Sequence, residues 1–291
     1  MSTILSFGEI LWDIFPDYKK PGGSPANLAY HLHALGNRSN LVSRVGDDQN
    51  GEELLSFITD KGLNTAYVQK DPNHPTGTVG VEFDDGEPSY TIHHPASWDF
   101  IEMTDQLVEE LQHADAICFA SLSQREEDSK KSLGKILNGV RDNCLKVFDL
   151  NLRPPFIDRD NILECIERAD VIKFNEDELA QVSSWVKTEN LPKHILSRHP
   201  EKIILVTLGA KGSAMHSADG FFEQKAYPVS TGGDFVGVGD AFLACVTHLL
   251  LKQISPKDIL SGANKYAAFV ASQQGGMPEI PGDIIRNVNN P

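Results

Sequence analysis

The sequence predicts an α/β protein: a mostly parallel sheet covered by helices on both faces, with a small β unit outside it. Three observations carry this. Short, continuous apolar segments at 116–120, 145–150, 171–174 and 202–208 alternate with helical segments, the rhythm of a parallel sheet buried on both faces. Between 76 and 94 that rhythm is broken by two alternating segments, 76–82 and 88–93, around Asp84-Asp85-Gly86-Glu87, which is a hairpin pattern. Late in the chain the turn Gly237-Val238-Gly239 runs directly into an apolar stretch at 241–251, a helix opening on a flexible loop.

Taken in order, residues 4–10 are apolar and β-prone and read as a buried first strand. In 25–35, Ala26, Leu28, Ala29, Leu32 and Leu35 fall near helical spacing, and Gly36 ends that helix. A strand at 40–45 ends at Gly46, and a helix at 51–61 ends at Gly62. The hairpin follows. From 114 onward strands and helices alternate, with helices at 129–143 and 162–169. No repeat, linker or low-complexity tract divides the chain, so residues 1–291 form one domain, with a lid from 11–22 and 75–98.

Composition narrows the function. The net charge of −15 argues against nucleic acid and anionic membrane partners, which require basic patches. An anionic substrate must then be held by local backbone dipoles, a few cations and a metal. The N-terminal segment lacks the basic region and long apolar core of a signal peptide, and no apolar run nears the ~20 residues that span a bilayer. Cys118, Cys144, Cys165 and Cys245 are widely spaced and form no zinc pattern, which fits reduced, buried thiols in a cytoplasmic protein.

Several segments carry polar chemistry, each with two readings. The amides of Gly237, Val238 and Gly239 at a helix start can converge on an anion, and Asp240 beside them can take a proton from an attacking hydroxyl. Alternatively Asp240 is an N-cap and the glycines only make the turn. Gly22 and Gly23 precede a helix carrying Asn27, an approach for a sugar or a plain turn. Asp13 can grip vicinal hydroxyls or sit exposed at a strand end. Asn175 and Glu178, three apart, can face a hydrated Mg²⁺ or simply open a helix. The run from Thr207 through Gly209 to Gly212 can wrap phosphates or link a strand to a helix. Asp149-Leu150-Asn151-Leu152-Arg153 lies at another strand end, where ligands of open parallel sheets bind. The chain has no GxxxxGK[ST], no complete dinucleotide fingerprint and no Gly-x-Ser-x-Gly elbow. His31 with His33, and His93 with His94, are spaced wrongly to share a metal on one face.

Together these segments resemble the ribokinase-like, or phosphofructokinase-B, carbohydrate kinases. Gly22-Gly23-Ser24-Pro25-Ala26-Asn27 and Asp234-Phe235-Val236-Gly237-Val238-Gly239-Asp240 match the family's two signature regions. Asp149-x-Asn151-x-Arg153, Asn175-x-x-Glu178 and Thr207-Leu208-Gly209-x-x-Gly212 fall between them. Gly8-Glu9-Ile10-Leu11-Trp12-Asp13 and Pro95-Ala96-Ser97-Trp98-Asp99 are similar to bacterial fructokinases.

The resemblance implies a three-layer α/β/α sandwich with a small β lid. It implies ATP-dependent phosphorylation of a primary sugar hydroxyl, most similar to that of fructose. Another sugar, a sugar acid or a nucleoside is the same-class alternative, and a non-catalytic sugar- or nucleotide-binding regulator the different-class one. By the same resemblance Asp240 is the base, Gly237, Val238 and Gly239 form the anion hole, and Arg153 adds charge near the phosphates. Asp13, Gly22, Gly23, Asn27 and Asn151 hold the sugar. Asn175, Thr207, Gly209, Gly212, Asn264 and Ala268 lie along the nucleotide. Asn175 and Glu178 organise Mg²⁺ through water. Asp234 and Val236, with backbone near 272–275, supply a K⁺ site. The family often has two threonines after the position of Asp234; here Phe235 and Val236 stand there. Backbone carbonyls survive that change and hydroxyl ligands do not. Pairing through the lid implies a homodimer.

Overall fold

The computed structural model describes residues 1–84 and 87–290. The first third contains β1 (Thr3–Phe7), β2 (Leu11–Ile14), β3 (Lys19–Gly22), α1 (Ser24–Ala34), β4 (Arg38–Gly46), α2 (Gln49–Asp60), β5 (Val68–Asp71), β6 (Gly77–Asp84) and β7 (Glu87–Ile92). Next come α3 (Asp105–Leu111), β8 (Ala116–Ala120), α4 (Glu127–Gly139), β9 (Leu145–Asp149), α5 (Arg159–Arg168), β10 (Val171–Asn175), α6 (Glu176–Val186) and α7 (Leu191–Arg198). The chain ends with β11 (Ile203–Thr207), β12 (Ser213–Ser217), β13 (Gly220–Gln224), α8 (Val238–Leu251), α9 (Pro256–Ala271) and α10 (Gly282–Asn289).

Nine strands form the main sheet in the order β13-β12-β11-β10-β9-β8-β1-β4-β5. Every pair is parallel except those made by β12, which runs against β11 and β13. Alternate side chains along a strand face opposite ways, so one strand feeds two cores. Leu5, Ile117, Phe119 and Phe148 pack with Leu133 and Ile136 of α4 and Ile162 of α5. Their neighbours Ile4, Cys118 and Val147 pack with Leu28 of α1, Phe242 of α8 and Tyr266 of α9. Three layers follow directly. A third cluster joins Ile10 and Trp12 to Tyr30 of α1 and Leu54 of α2. The four cysteines are buried and unpaired, and among the described residues no helix is long and apolar enough to cross a membrane.

A second sheet, ordered β3-β2-β6-β7, is built from 11–22 and 77–92. Its strands alternate between antiparallel and parallel pairing, with β2 beside β6 as the parallel pair. The predicted hairpin 76–93 supplies two of its strands; Asp85 and Gly86 of the predicted turn lie outside the described residues.

Several elements differ from expectation. The first strand stops at Phe7 instead of residue 10, because Gly8 takes φ 141° where a Cβ would lie 2.6 Å from Pro25 Cγ. The chain then re-enters as β2, so Asp13 lies within a strand of the small sheet rather than at the end of the first strand. The helix expected at 129–143 ends at Gly139. The loop after β11 leads to an antiparallel hairpin, not to a helix. Strands β5, β12 and β13 and helices α3 and α7 were not expected: β5 reads Val-Gln-Lys-Asp and lies at the sheet edge, where polar residues remain wet.

Candidate active site

Strands β1, β9, β10 and β11 all present their carboxyl ends to one region of the molecule, and the N-termini of α1 and α8 point into it. Helix α8 begins at Gly237, whose φ of 72° is left-handed, and among the described residues the N–H groups of Gly237, Val238 and Gly239 have no acceptor. Free first-turn amides and the helix dipole make this an anion-binding end.

Asp240 is not an N-cap. It is buried in the first turn of α8, and both its oxygens accept from α1: Ser24 Oγ donates to Oδ1 at 2.6 Å and Asn27 Nδ2 to Oδ2 at 2.8 Å. Burial and the nearby Asp149 charge raise its pKa, while the Ser24 and Asn27 bonds and the Lys173 charge oppose them. The net direction is upward, toward that of an effective proton acceptor.

Lys173, which sequence reasoning passed over, stands beneath this turn. It is buried in β10 and donates to Asp149 Oδ1 at 2.7 Å. A Cβ on Gly239 would lie 3.6 Å from its Nζ. Burial disfavours the charge, but Asp149, Glu178 and Asp240 together raise its pKa, so it stays an ammonium. The signal was present: a lone lysine inside a strand otherwise predicted to be fully buried must have a partner.

Asn175 and Glu178 form a reciprocal capping box at the start of α6: Asn175 Oδ1 accepts from Glu178 N at 2.8 Å and Glu178 Oε2 from Asn175 N at 2.8 Å. Glu178 Oε1 also accepts from Leu152 N at 3.0 Å, tying the ends of β9 and β10 together. Burial raises the Glu178 pKa, with Asp149 adding to it and Lys173 opposing. Each carboxylate oxygen takes one N–H, leaving a second lone pair for the water of a hydrated ion, so the pair fits Mg²⁺ through water.

On the opposite side, Asp13 of β2 lies over Gly22 of β3: a Cβ on Gly22 would stand 2.6 Å from Asp13 Oδ2. Burial pushes the Asp13 pKa up to about 6 against the pull of Arg153 and Lys20. Gly23 caps α1 with φ 107°, where a Cβ would collide with the Glu9 carbonyl. Glu9 is also new to the site. It is buried, its Oε2 has no hydrogen-bond partner, and burial, with Asp240 adding, lifts its pKa to about 7 against Arg153 and its own backbone N–H. The Arg153 charge therefore acts on the two acids of the Asp13 side, whereas Lys173 lies at the α8 turn. Asn151, at φ 41°, is strained at the end of β9.

A cleft of about 410 Å³ runs from the α8 turn toward β11 and α9. Asn175, Thr207, Gly209, Gly212, Val238, Gly239 and Asn264 line it, with Ala267 in place of the expected Ala268. Asn264 Nδ2 is already engaged by Ser213 Oγ at 2.6 Å and the Leu260 carbonyl at 2.8 Å. Gly212 has a packing reason as well, since a Cβ there would collide with the Gln224 carbonyl.

Of the expected K⁺ donors, the Asp234 side chain already serves the protein. Asp234 Oδ1 accepts from Val236 N at 3.1 Å, and Oδ2 accepts from Gly275 N at 2.9 Å and Lys20 Nζ at 3.0 Å. Its carboxylate is thus committed to three protein donors.

Comparison with known proteins fits this arrangement. The fold and the site define a carbohydrate kinase. More particularly, the chain belongs to the pfkB family of carbohydrate kinases, which it matches across residues 17–282. It is 29% identical to a fructokinase from Vibrio alginolyticus over 97% of this chain and 96% of that one. Its fold is that of an ATP-bound fructokinase from Xylella fastidiosa, at TM-score 0.88 and 22% identity, covering 99% and 98% of the two chains. It also superposes on a double mutant of the Vibrio cholerae fructokinase with fructose, ADP and potassium ion, at TM-score 0.83 and 24% identity, covering 98% and 97%.

Proposed function

We propose that this carbohydrate kinase transfers the γ-phosphoryl group of ATP to a primary hydroxyl of fructose. The observation that carries the reading is Asp240, a buried carboxylate of raised pKa, fixed by Ser24 and Asn27 beside three unpaired amides. Asp240 accepts the hydroxyl proton as that oxygen forms its bond to the γ-phosphorus. The bond from phosphorus to the β–γ bridging oxygen breaks, and ADP leaves with that electron pair. The Gly237, Val238 and Gly239 amides and the Lys173 ammonium oppose the charge that spreads over the transferring group. Mg²⁺, when bound, neutralises phosphate charge; Glu178 and Asn175 hold it through its waters.

Asp13, Gly22, Gly23, Asn27 and Asn151 hold the sugar, with Arg153 setting the field of Asp13 and Glu9. Thr207, Gly209, Gly212 and Asn264 lie along the nucleotide. The small sheet acts as a lid that closes over the sugar and keeps water from the phosphoryl group. Its outer edge pairs two chains, and four unpaired, buried cysteines suit a reducing, cytoplasmic setting. The fructose assignment is supported by the relatives named fructokinase.

A coupled ADP-release assay with Mg-ATP tests this against fructose, glucose, mannose, ribose, 2-keto-3-deoxygluconate, fructose-6-phosphate and adenosine. Selective turnover of fructose is expected. Asp240→Asn is expected to lower kcat by about 10²- to 10⁴-fold while calorimetric ATP affinity stays within about twofold. Near-normal turnover in Asp240→Asn removes Asp240 as the base, and selectivity for another acceptor replaces fructose.

A further inference from the structure

We propose that the Lys20 ammonium is a built-in monovalent cation for the anion-binding turn, so that this chain works without K⁺. Only the functional consequence rests on the kinase reading; the ion preference is a property of the site itself.

Asp234 lies six residues before Asp240, on the loop that delivers Gly237. Lys20 reaches it from β3 of the small sheet, across 214 positions of sequence, with Nζ 3.0 Å from Oδ2. Both side chains are partly shielded, at 32% and 20% exposure, so the pair is not a fully wet surface bridge. The Asp234 carboxylate is ionised: burial works against the charge, but the Gly275 and Val236 N–H groups and Lys20 outweigh it and hold the pKa below the usual range.

What the carboxylate organises is the turn itself. Asp234 N donates to the Gln273 carbonyl at 3.1 Å, and Gly275 N returns a bond to the Asp234 side chain. The next residue, Gly276, packs against Gly237 so tightly that a Cβ on Gly237 would lie 2.7 Å from Gly276 Cα. The Gly276 carbonyl accepts from His31 Nε2 at 3.0 Å. Two loops are therefore stitched together behind the left-handed Gly237, and the Lys20 ammonium balances the carboxylate that holds them. A free ion filling this role would need vacant carboxylate oxygen and supporting ligands. Here both lone pairs of Oδ2 are taken, by Gly275 N and Lys20 Nζ, and Phe235 and Val236 offer no hydroxyl. A tethered ammonium supplies the charge with three N–H donors and no ion-binding equilibrium. By the β2–β3 register Lys20 also stands opposite Asp13, so the same charge links the sugar-side strand to the phosphate-side loop.

The test compares wild type, Lys20→Met, Lys20→Gln and Lys20→Arg in KCl and in tetramethylammonium chloride at equal ionic strength. Two readouts are used: ADP affinity by calorimetry and direct binding of Tl⁺, a K⁺ surrogate. Wild type and Lys20→Arg are expected to bind ADP equally in both salts, within about twofold, and to bind no Tl⁺. Lys20→Met and Lys20→Gln are expected to bind ADP about fivefold or more weakly in tetramethylammonium, recover in KCl and take up one Tl⁺ per chain. Stoichiometric Tl⁺ binding or K⁺-tightened ADP binding in wild type overturns the proposal. So does a neutral variant that is unaffected in both salts or is not rescued by K⁺. Because Tl⁺ binding requires neither nucleotide nor sugar, a chain that phosphorylates nothing in the acceptor panel still decides it. Thermal melting of each variant identifies loss of fold; the two neutral variants differ in shape, and the wild-type arm needs neither.

Discussion

Three buried carboxylates, Asp149, Glu178 and Asp240, surround the buried Lys173 ammonium, and a fourth, Glu9, is buried close enough to Asp240 to feel its charge. Such an excess of negative charge costs stability unless a cation or a proton offsets it. Glu9 shows the proton solution. Its folded pKa is raised from 4.5 to about 7, chiefly by burial, so between those values the folded chain keeps a proton that the unfolded chain releases. Stability therefore falls as pH rises through that window and remains lower above it. Glu9→Gln removes the titrating group. Relative to wild type, it is expected to show no linked gain at pH 4 and a gain growing to about 3 kcal/mol above pH 7, at about 1.36 kcal/mol per pKa unit. Urea unfolding at several pH values measures this, and a difference that does not vary with pH rejects it. A chain that tolerates such a group keeps it where the sugar is proposed to lie, beneath Gly23.

At the scale of elements, the site is a junction of helix α1, helix α8 and the loop at 275–276. Glycine permits the approach at each contact. Gly237 is left-handed and touches Gly276; a Cβ on Gly276 would lie 2.5 Å from Asn27 Oδ1, and Asn27 in turn donates to Asp240. Asp240, the proposed base, is thus aimed by backbone proximity as much as by its own bonds. Gly237→Ala imposes an unfavourable left-handed conformation, at about 1–2 kcal/mol, together with the collision at Gly276. Its expected outcome is a loss of stability of at least that size and an ADP affinity weakened by about tenfold, read by urea unfolding and calorimetry. Unchanged ADP binding in a destabilised Gly237→Ala separates the turn from the phosphate.

At the scale of the whole molecule, two sheets of different size meet at the site. The large one carries the proposed phosphate side through β9, β10 and α8, and the small one carries Asp13, Lys20 and Gly22. Lys20 ties the small sheet to Asp234 of the loop before α8, and Lys19 and Trp12 tie it to Glu53 and Asn50 of α2. The small sheet ends in β7, an outermost strand whose Tyr90 is 64% exposed. Covering such an edge favours a second copy of the chain. Sedimentation velocity is expected to show a species of twice the 32.0 kDa chain mass, with Tyr90→Asp shifting it toward a folded monomer. A monomer in wild type at micromolar concentration removes the dimer.

The sequence by itself determined the parallel sheet, because runs such as Ala116–Ala120 have only one way to bury both faces. It also determined the glycine turn before Asp240 and the capping segment Asn175–Glu178, which are local patterns whose geometry follows from backbone chemistry over a few residues. It misjudged the first strand, because apolarity continues past Phe7 while the conformation of Gly8 does not. Only the tertiary structure decided that Ser24 and Asn27 hold Asp240, that Lys173 sits under Gly239, that Glu9 Oε2 is buried without a hydrogen-bond partner, and that Lys20 neutralises Asp234. The physical reason is range. Periodicity and turn chemistry act over one or two turns of chain, whereas these pairs are separated by tens to hundreds of residues and meet only when the sheet order and helix packing are complete.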